Sequence, residues 1–140
     1  MKVVLDSTVI FSIFYEKDRF HQLAMKIFDQ FMDGKLEVFI PTIVMPEVCG
    51  AMKRETGDHK ISMIVQSQLE GWIENNILSV KELTVERMIY ATENAISFGL
   101  KGADAVFVAL ARELGVPLAT FDDGMKKRVM GKIKLFETEE

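Results

Sequence analysis

The feature that most constrains this chain is its alternation of short β-branched runs with longer stretches of helical periodicity. Val3 to Leu5 is a brief apolar run that ends at Asp6, the pattern of a buried strand. Ser7 to Tyr15 has helical character. His21 to Met32 continues it, with Leu23, Ala24, Ile27, Phe28 and Phe31 at helical spacing, until Asp33-Gly34. Leu36 to Ile40 is a second strand, stopped by Pro41, after which Thr42 can cap a helix running to Thr56-Gly57. Asp58 or His59 opens a long helix through Trp72 to Asn75. Ile77 to Leu83 is ambiguous, a minor strand at most. Thr84 to Phe98 carries a capping signal and a helical pattern that stops at Gly99. Ala103 to Leu114 is nearly all apolar, as in a helix buried on most faces. Leu118 to Phe121 is a strand after Pro117, Asp122 to Val129 a short helix, and Lys132 to Phe136 a closing strand. Strands alternating with helices require crossover connections and a parallel sheet. The expectation is one α/β domain over residues 1–140, a three-layer α/β/α sandwich around a central, mostly parallel sheet.

Composition sets the class of function. With 140 residues and 49% hydrophobic content, a core can form without staples. The single cysteine, Cys49, excludes an internal disulfide and favours a reducing compartment. Met1-Lys2-Val3-Val4-Leu5 reaches Asp6 too soon to be a signal-peptide core. No run approaches the ~18 apolar residues of a membrane span, so a cytoplasmic address is expected. The net charge of −4, from 17 basic and 21 acidic residues, speaks against a protein that holds nucleic acid through a large positive field. It leaves room for an enzyme that acts on nucleic acid.

In an open parallel sheet, ligands bind outside the carboxyl ends of the strands, near the point where strand order reverses. Four carboxylates stand after strands or at the starts of the following helices: Asp6, Glu47, Asp104 and Asp122. Each has a plain alternative. Asp is a favoured helix cap, and an acid in a first turn is stabilised by the helix dipole. Asp104 resists that explanation best, because it opens the apolar helix with Val108 and Ala111 on its own face. A carboxylate there is costly unless it is paired, hydrogen-bonded or bound to a metal. Lys101 is the nearest basic residue and precedes the helix. Acids gathered at one sheet edge repel one another, and a hard divalent cation removes that repulsion. Oxygen ligands alone suit Mg²⁺ or Mn²⁺, and the absence of His and Cys from the group argues against zinc. His21 and His59 are read as surface residues. Cys49 is read as a small buried side chain, and Phe11, Phe14, Phe28, Phe31, Phe98, Phe107 and Trp72 as core. The nine methionines are read mainly as gap-fillers.

The segments Val3-Val4-Leu5-Asp6-Ser7-Thr8, Pro46-Glu47-Val48, Gly102-Ala103-Asp104-Ala105 and Leu118-Ala119-Thr120-Phe121-Asp122 occur in that order. Together they give a chain that resembles the PIN-domain ribonucleases, and within them the short VapC-type toxins. The resemblance covers the whole chain. It implies an α/β sandwich and an acidic pocket for Mg²⁺ or Mn²⁺, formed by Asp6, Glu47, Asp104 and Asp122. Thr120 matches the residue that supports the last carboxylate, and Ser7 or Thr8 the hydroxyl that assists at the pocket. Asp122-Asp123-Gly124 departs from the pattern by offering two adjacent acids. Asp122 keeps the T-x-D spacing, while Asp123 either caps the short helix or holds a water of the ion.

The same resemblance implies metal-dependent cleavage of single-stranded or loop RNA, with a VapB-type antitoxin and a homodimer as expected partners. Lys126-Lys127-Arg128 is the candidate RNA-binding run, against the alternative of a solvated helix face. Lys53-Arg54 and Lys101 are weaker candidates. The competing readings are an RNA-processing nuclease without an antitoxin, a receiver-like phosphoacceptor and a silent binding module. Val38-Phe39-Ile40-Pro41 ends without the Asp that a receiver needs.

Overall fold

Val3, Val4 and Leu5 are all fully buried, so the opposite faces to which successive strand residues point are both covered. The computed structural model, which describes residues 1–138, builds this arrangement from four strands and seven helices. They run in the order β1 (Lys2–Leu5), α1 (Ser7–Phe14), α2 (His21–Met32), β2 (Glu37–Pro41), α3 (Val44–Thr56), α4 (His59–Glu74), β3 (Leu78–Lys81), α5 (Val85–Phe98), α6 (Gly102–Leu114), β4 (Leu118–Ala119) and α7 (Asp123–Val129).

The strands form one parallel sheet in the order β3-β2-β1-β4. Val3 pairs with Val38, Leu5 with Ala119, and Phe39 with Ser79. The chain therefore lays β2 and β3 to one side of β1 and then returns to place β4 on the other. The reversal lies between β1 and β4, which is where an α/β sheet opens a crevice beyond its carboxyl edge.

Helices cover both faces. α1 packs against α2 and α3, α3 against α4, and α5 against α6, which crosses β1, β2 and β4. Burial explains the nearly all-apolar sequence of α6: Ala105, Phe107, Val108, Ala109, Leu110 and Ala111 are all enclosed. Trp72 of α4 joins three helices at an aromatic cluster. It stacks on Phe14 at 5.2 Å between ring centres and meets Phe28 and Phe31 at 5.4 and 5.7 Å. Of the aromatics expected in the core, Phe31 and Phe107 are buried, while Phe11, Phe14, Phe28, Trp72 and Phe98 are half-buried and pack against its margin.

Three local expectations are corrected. Lys132 to Phe136 is not a strand: one bridge joins Leu135 to Leu118. β4 is only two residues long, so a longer partner has nothing to pair with. Thr42 does not cap α3, whose N-cap is Ile43 without a side-chain bond. Pro41 belongs to β2, pairing with Lys81, and the next N–H, of Thr42, donates to the Lys81 carbonyl at 3.2 Å. The ambiguous segment 77–83 contains the edge strand β3. Asp58 and Thr84 cap as expected, Asp58 accepting from Lys60 and Ile61 N–H groups and Thr84 from that of Arg87, while α2 and α6 begin at Phe20 and Lys101 without a side-chain bond.

Candidate functional site

Asp6 is the residue where β1 becomes α1. It is the N-cap of α1, and its Oδ1 accepts from the N–H groups of Thr8 at 3.1 Å and Val9 at 3.2 Å and from the Thr8 hydroxyl. The capping reading of Asp6 is thus correct, but it accounts for one oxygen only. Oδ2 is buried without a hydrogen-bond partner in a residue only 1% exposed. Burial pushes the Asp6 carboxyl up to about 6, against the Thr120 and Thr8 hydroxyls and the Val9 N–H, which favour its charge; Asp104 adds to the rise.

Glu47 lies in the first turn of α3, just after Pro46, and is half-buried. Its Oε1 is the second buried oxygen without a partner. Burial raises its carboxyl, the Ser7 hydroxyl lowers it, Asp104 raises it, and Arg54 lowers it. Asp104 stands in the first turn of α6, half-buried. Burial raises it first and the charge of Asp122 second, while Lys101 and Arg128 pull it down. Asp122 is the N-cap of α7, accepting from Met125 N–H at 3.0 Å, and its own N–H donates to Thr120 Oγ1 at 3.1 Å.

The charge of Asp104 contributes to the rise of Asp6 and of Glu47, and that of Asp122 contributes to the rise of Asp104. Both expected hydroxyls have partners here, Thr8 at Asp6 and Ser7 at Glu47. Asp123 stands apart. It is 67% exposed in its side chain and pairs with Arg19 at 3.6 Å. In the basic run, Arg128 acts on Asp104, Lys127 is exposed and Lys126 half-buried. Asp104 therefore has cationic company that its own helix does not disclose, because Arg128 comes from α7. His21 corrects the surface reading, being half-buried with Nδ1 2.7 Å from the Ser12 carbonyl; His59 is exposed.

Thr8 does a second task. Its Oγ1 accepts from Phe121 N–H at 3.0 Å while its proton goes to Asp6. One hydroxyl thus ties the end of β1 to the end of β4. Thr8→Val is expected to strand the Phe121 N–H and release Asp6 Oδ1, costing about 1–3 kcal/mol in a denaturant titration. An unchanged midpoint would contradict this role.

The donor set suits a hard cation. Two buried carboxylate oxygens lack partners, and every neighbour that lowers their charge tolerance is another acid or an apolar wall. Among the described residues, no three His, Cys, Asp or Glu side chains are close enough to enclose an ion by themselves. Beside Glu47, a shallow cavity of about 410 Å³ is lined by Ile43, Pro46, Gly102, Ala103 and Val106. A cavity of about 1120 Å³ lies near the amino ends of the strands, lined by Met1, Lys26, Pro117 and residues of the C-terminal segment; none of the four acids reaches it.

Comparison with known proteins gives the family and the fold. A family model described as the PIN domain matches residues 3–129. No curated protein matches the chain by sequence. Among solved structures, the chain is similar to Mycobacterium tuberculosis VapC20, described as a Sarcin-Ricin loop cleaving toxin. That pair has a TM-score of 0.74 at 17% identity, covering 94% of this chain and 98% of the other. VapBC2 from Rickettsia felis, bound to a DNA fragment from its promoter, gives 0.70 at 13% identity, covering 99% and 100%. A toxin-antitoxin complex from Klebsiella pneumoniae gives 0.68 at 14%, covering 99% and 98%. At these identities the shared property is the fold.

Proposed function

Because this chain belongs to the PIN-domain family over residues 3–129, we propose that it is a divalent-metal-dependent endoribonuclease acting as the toxin of a toxin–antitoxin pair. The observation that carries the reading is the pair of unpartnered buried oxygens, Asp6 Oδ2 and Glu47 Oε1, on acids that both respond to Asp104. Asp6, Glu47, Asp104 and Asp122 would hold Mg²⁺ or Mn²⁺. When bound, such an ion lowers the pKa of a water ligand and neutralises charge on a phosphodiester.

The chain's own groups divide the remaining work. Thr8 fixes Asp6 Oδ1 and leaves Oδ2 to face the site. Glu47, with its raised pKa and free Oε1, is suited to accept the proton of an attacking water. Thr120 orients the segment that carries Asp122. Lys101 and Arg128, which both favour the charge on Asp104, are the nearest groups for the phosphates that flank the cut. Lys126 and Lys127 extend that basic edge. The substrate is single-stranded or loop RNA.

The test is cleavage of single-stranded RNA with Mg²⁺ or Mn²⁺, compared with the same protein in EDTA. Cleavage that is equal in EDTA would sink the reading. Co-expression with a small basic-tailed partner that binds the acidic site should suppress cleavage; an active protein with no such partner would instead be a processing nuclease.

The partner surfaces are apolar. Val85, Met88, Ile89 and Ile96 of α5 are each more than half exposed. A stripe of this kind marks an interaction surface, and a second copy of the chain is our reading of its occupant. On α4, exposed Met63 and Ile64 border a groove of about 430 Å³ with Trp72 in its wall, where a VapB-type antitoxin could seat an apolar segment. Ile89→Glu is expected to convert a dimer to a monomer in sedimentation at micromolar protein, and an unchanged mass would reject α5 as the dimer face. No single helix among the described residues is long and apolar enough to cross a membrane. A cytoplasmic site of action is part of the proposal.

A further inference from the structure

The sequence singles out neither Arg19 nor Phe20, yet the fold brings them to Asp123 and Phe121, the chain neighbours of the candidate acid Asp122. The turn between α1 and α2 is held by its own bonds. Asp18 N–H donates to the Tyr15 carbonyl and His21 N–H to the Asp18 carbonyl, each at 3.0 Å. Asp18 Oδ1 accepts from Phe20 N–H at 2.8 Å and from the buried Ser12 hydroxyl at 3.1 Å. This turn aims Phe20 at Phe121, on which it stacks with ring centres 4.8 Å apart and planes within 13°. The Arg19 guanidinium lies over the Phe20 ring, 4.4 Å from its centre. Phe121 lies between Thr120 and Asp122 and is bonded through its N–H to Thr8. A rigid line thus runs from the Asp6 cap through Thr8, Phe121 and Phe20 to Arg19.

Arg19 is held in place but not satisfied. Its side chain is 74% exposed, and its ion pair is a single contact of 3.6 Å to Asp123, itself exposed. An exposed pair of this length is weak and exchangeable. A guanidinium carries five donors in a planar fork that matches a phosphate, and here it is already ordered by the ring beneath it. Asp123 adjoins Asp122 in sequence, so the guanidinium stands at the start of α7, on its α1–α2 side.

We propose that Arg19 binds an RNA phosphate adjacent to the one that is cut, leaving Asp123 to do so. The assignment rests on the ribonuclease reading proposed for the acidic site. Arg19 is a positioning residue: it fixes the strand's path past the start of α7. Asp123 competes with RNA for the guanidinium and guards the approach until a strand arrives.

Binding of a short single-stranded phosphorothioate RNA, measured by fluorescence anisotropy across a salt series, tests this. Arg19→Ala should weaken binding about five- to tenfold and remove about 0.7 from the slope of log affinity against log salt, the share of one phosphate contact. Arg19→Lys should restore the slope. Asp123→Asn should tighten binding by up to about fivefold, the worth of the exposed pair it removes. In cleavage assays Arg19→Ala should raise KM and leave kcat nearly unchanged. An unchanged salt slope in Arg19→Ala, with or without a lower melting temperature, overturns the proposal, as does weaker binding in Asp123→Asn. If the protein binds RNA but does not cut it, the nuclease reading fails and the slope still decides on Arg19. If it cuts RNA and the slope does not move, only the Arg19 assignment falls.

Discussion

Asp104→Asn is expected to lower RNA cleavage by a factor of about 10³, the largest effect of any single substitution in this chain. The substitution keeps the size and helix position of the side chain and removes its charge. The charge of Asp104 raises Asp6 and Glu47 and is itself raised beside Asp122, so on the proposed reading its neutralisation would weaken the hold on a cation. A divalent ion supplies several kcal/mol of charge stabilisation in such reactions, and ~4 kcal/mol corresponds to about 10³ in rate. The variant should fold at least as well as the parent, since it removes a half-buried charge from an apolar helix. Rates are to be measured on single-stranded RNA at saturating Mn²⁺, alongside melting temperatures. A variant that melts normally and cuts within tenfold of the parent would exclude Asp104 from the centre of the site.

The second large effect concerns pH in the absence of metal. In EDTA the protein should become more stable as pH falls from 7 to 5. Asp6 is raised from 3.8 to about 6 by burial, so its folded pKa exceeds its unfolded value. Its contribution is fully present below the unfolded pKa and is lost as pH rises through the folded one. A shift of about two units is worth ~3 kcal/mol in full, of which nearly half returns between pH 7 and pH 5. Glu47 and Asp104 are raised by the same cause and act in the same direction. Glu113 acts oppositely, since Arg87 lowers it, but it is a surface pair of small weight. Thermal melting in EDTA should therefore rise by about 3 °C or more on acidification. Asp6→Asn should flatten the profile. Excess Mn²⁺ should stabilise the protein at pH 7 and reverse the slope, because ion binding requires the charged acids. Melting in EDTA that falls steadily from pH 7 to pH 5 would show that these acids are not the strained groups.

The same acids mark how far the sequence could be read. Asp6, Glu47, Asp104 and Asp122 stand out because strand–helix boundaries are legible in β-branched runs and caps, and a parallel sheet gathers its carboxyl ends. The electrostatic surroundings of Asp104 are not legible, because they depend on Arg128 of α7 and its N-cap Asp122 acting at the start of α6 across residues distant in sequence. Nor could local pattern show that Lys132 to Phe136 lacks a partner strand, since that depends on the shortness of β4. Thr42 looked like a cap by residue type, but the chain enters α3 from an already helical Ile43. Arg19 and Phe20 sit in an ordinary turn; only the stack on Phe121 gives them a place. Thr8 resembled one of two interchangeable hydroxyls, and the structure separates them, Thr8 serving Asp6 and Ser7 serving Glu47.

The order in which the sheet is laid down has a consequence for synthesis. β4 is the last strand to leave the ribosome and the one that docks beside β1, the first. Until residues 118–122 emerge, Thr8 has no Phe121 N–H to bind and Asp104 has no Asp122 beside it. A nascent or prematurely terminated chain thus carries three of the four acids without the strand that completes their alignment. The candidate acidic site is therefore complete only once β4 and the start of α7 have joined β1.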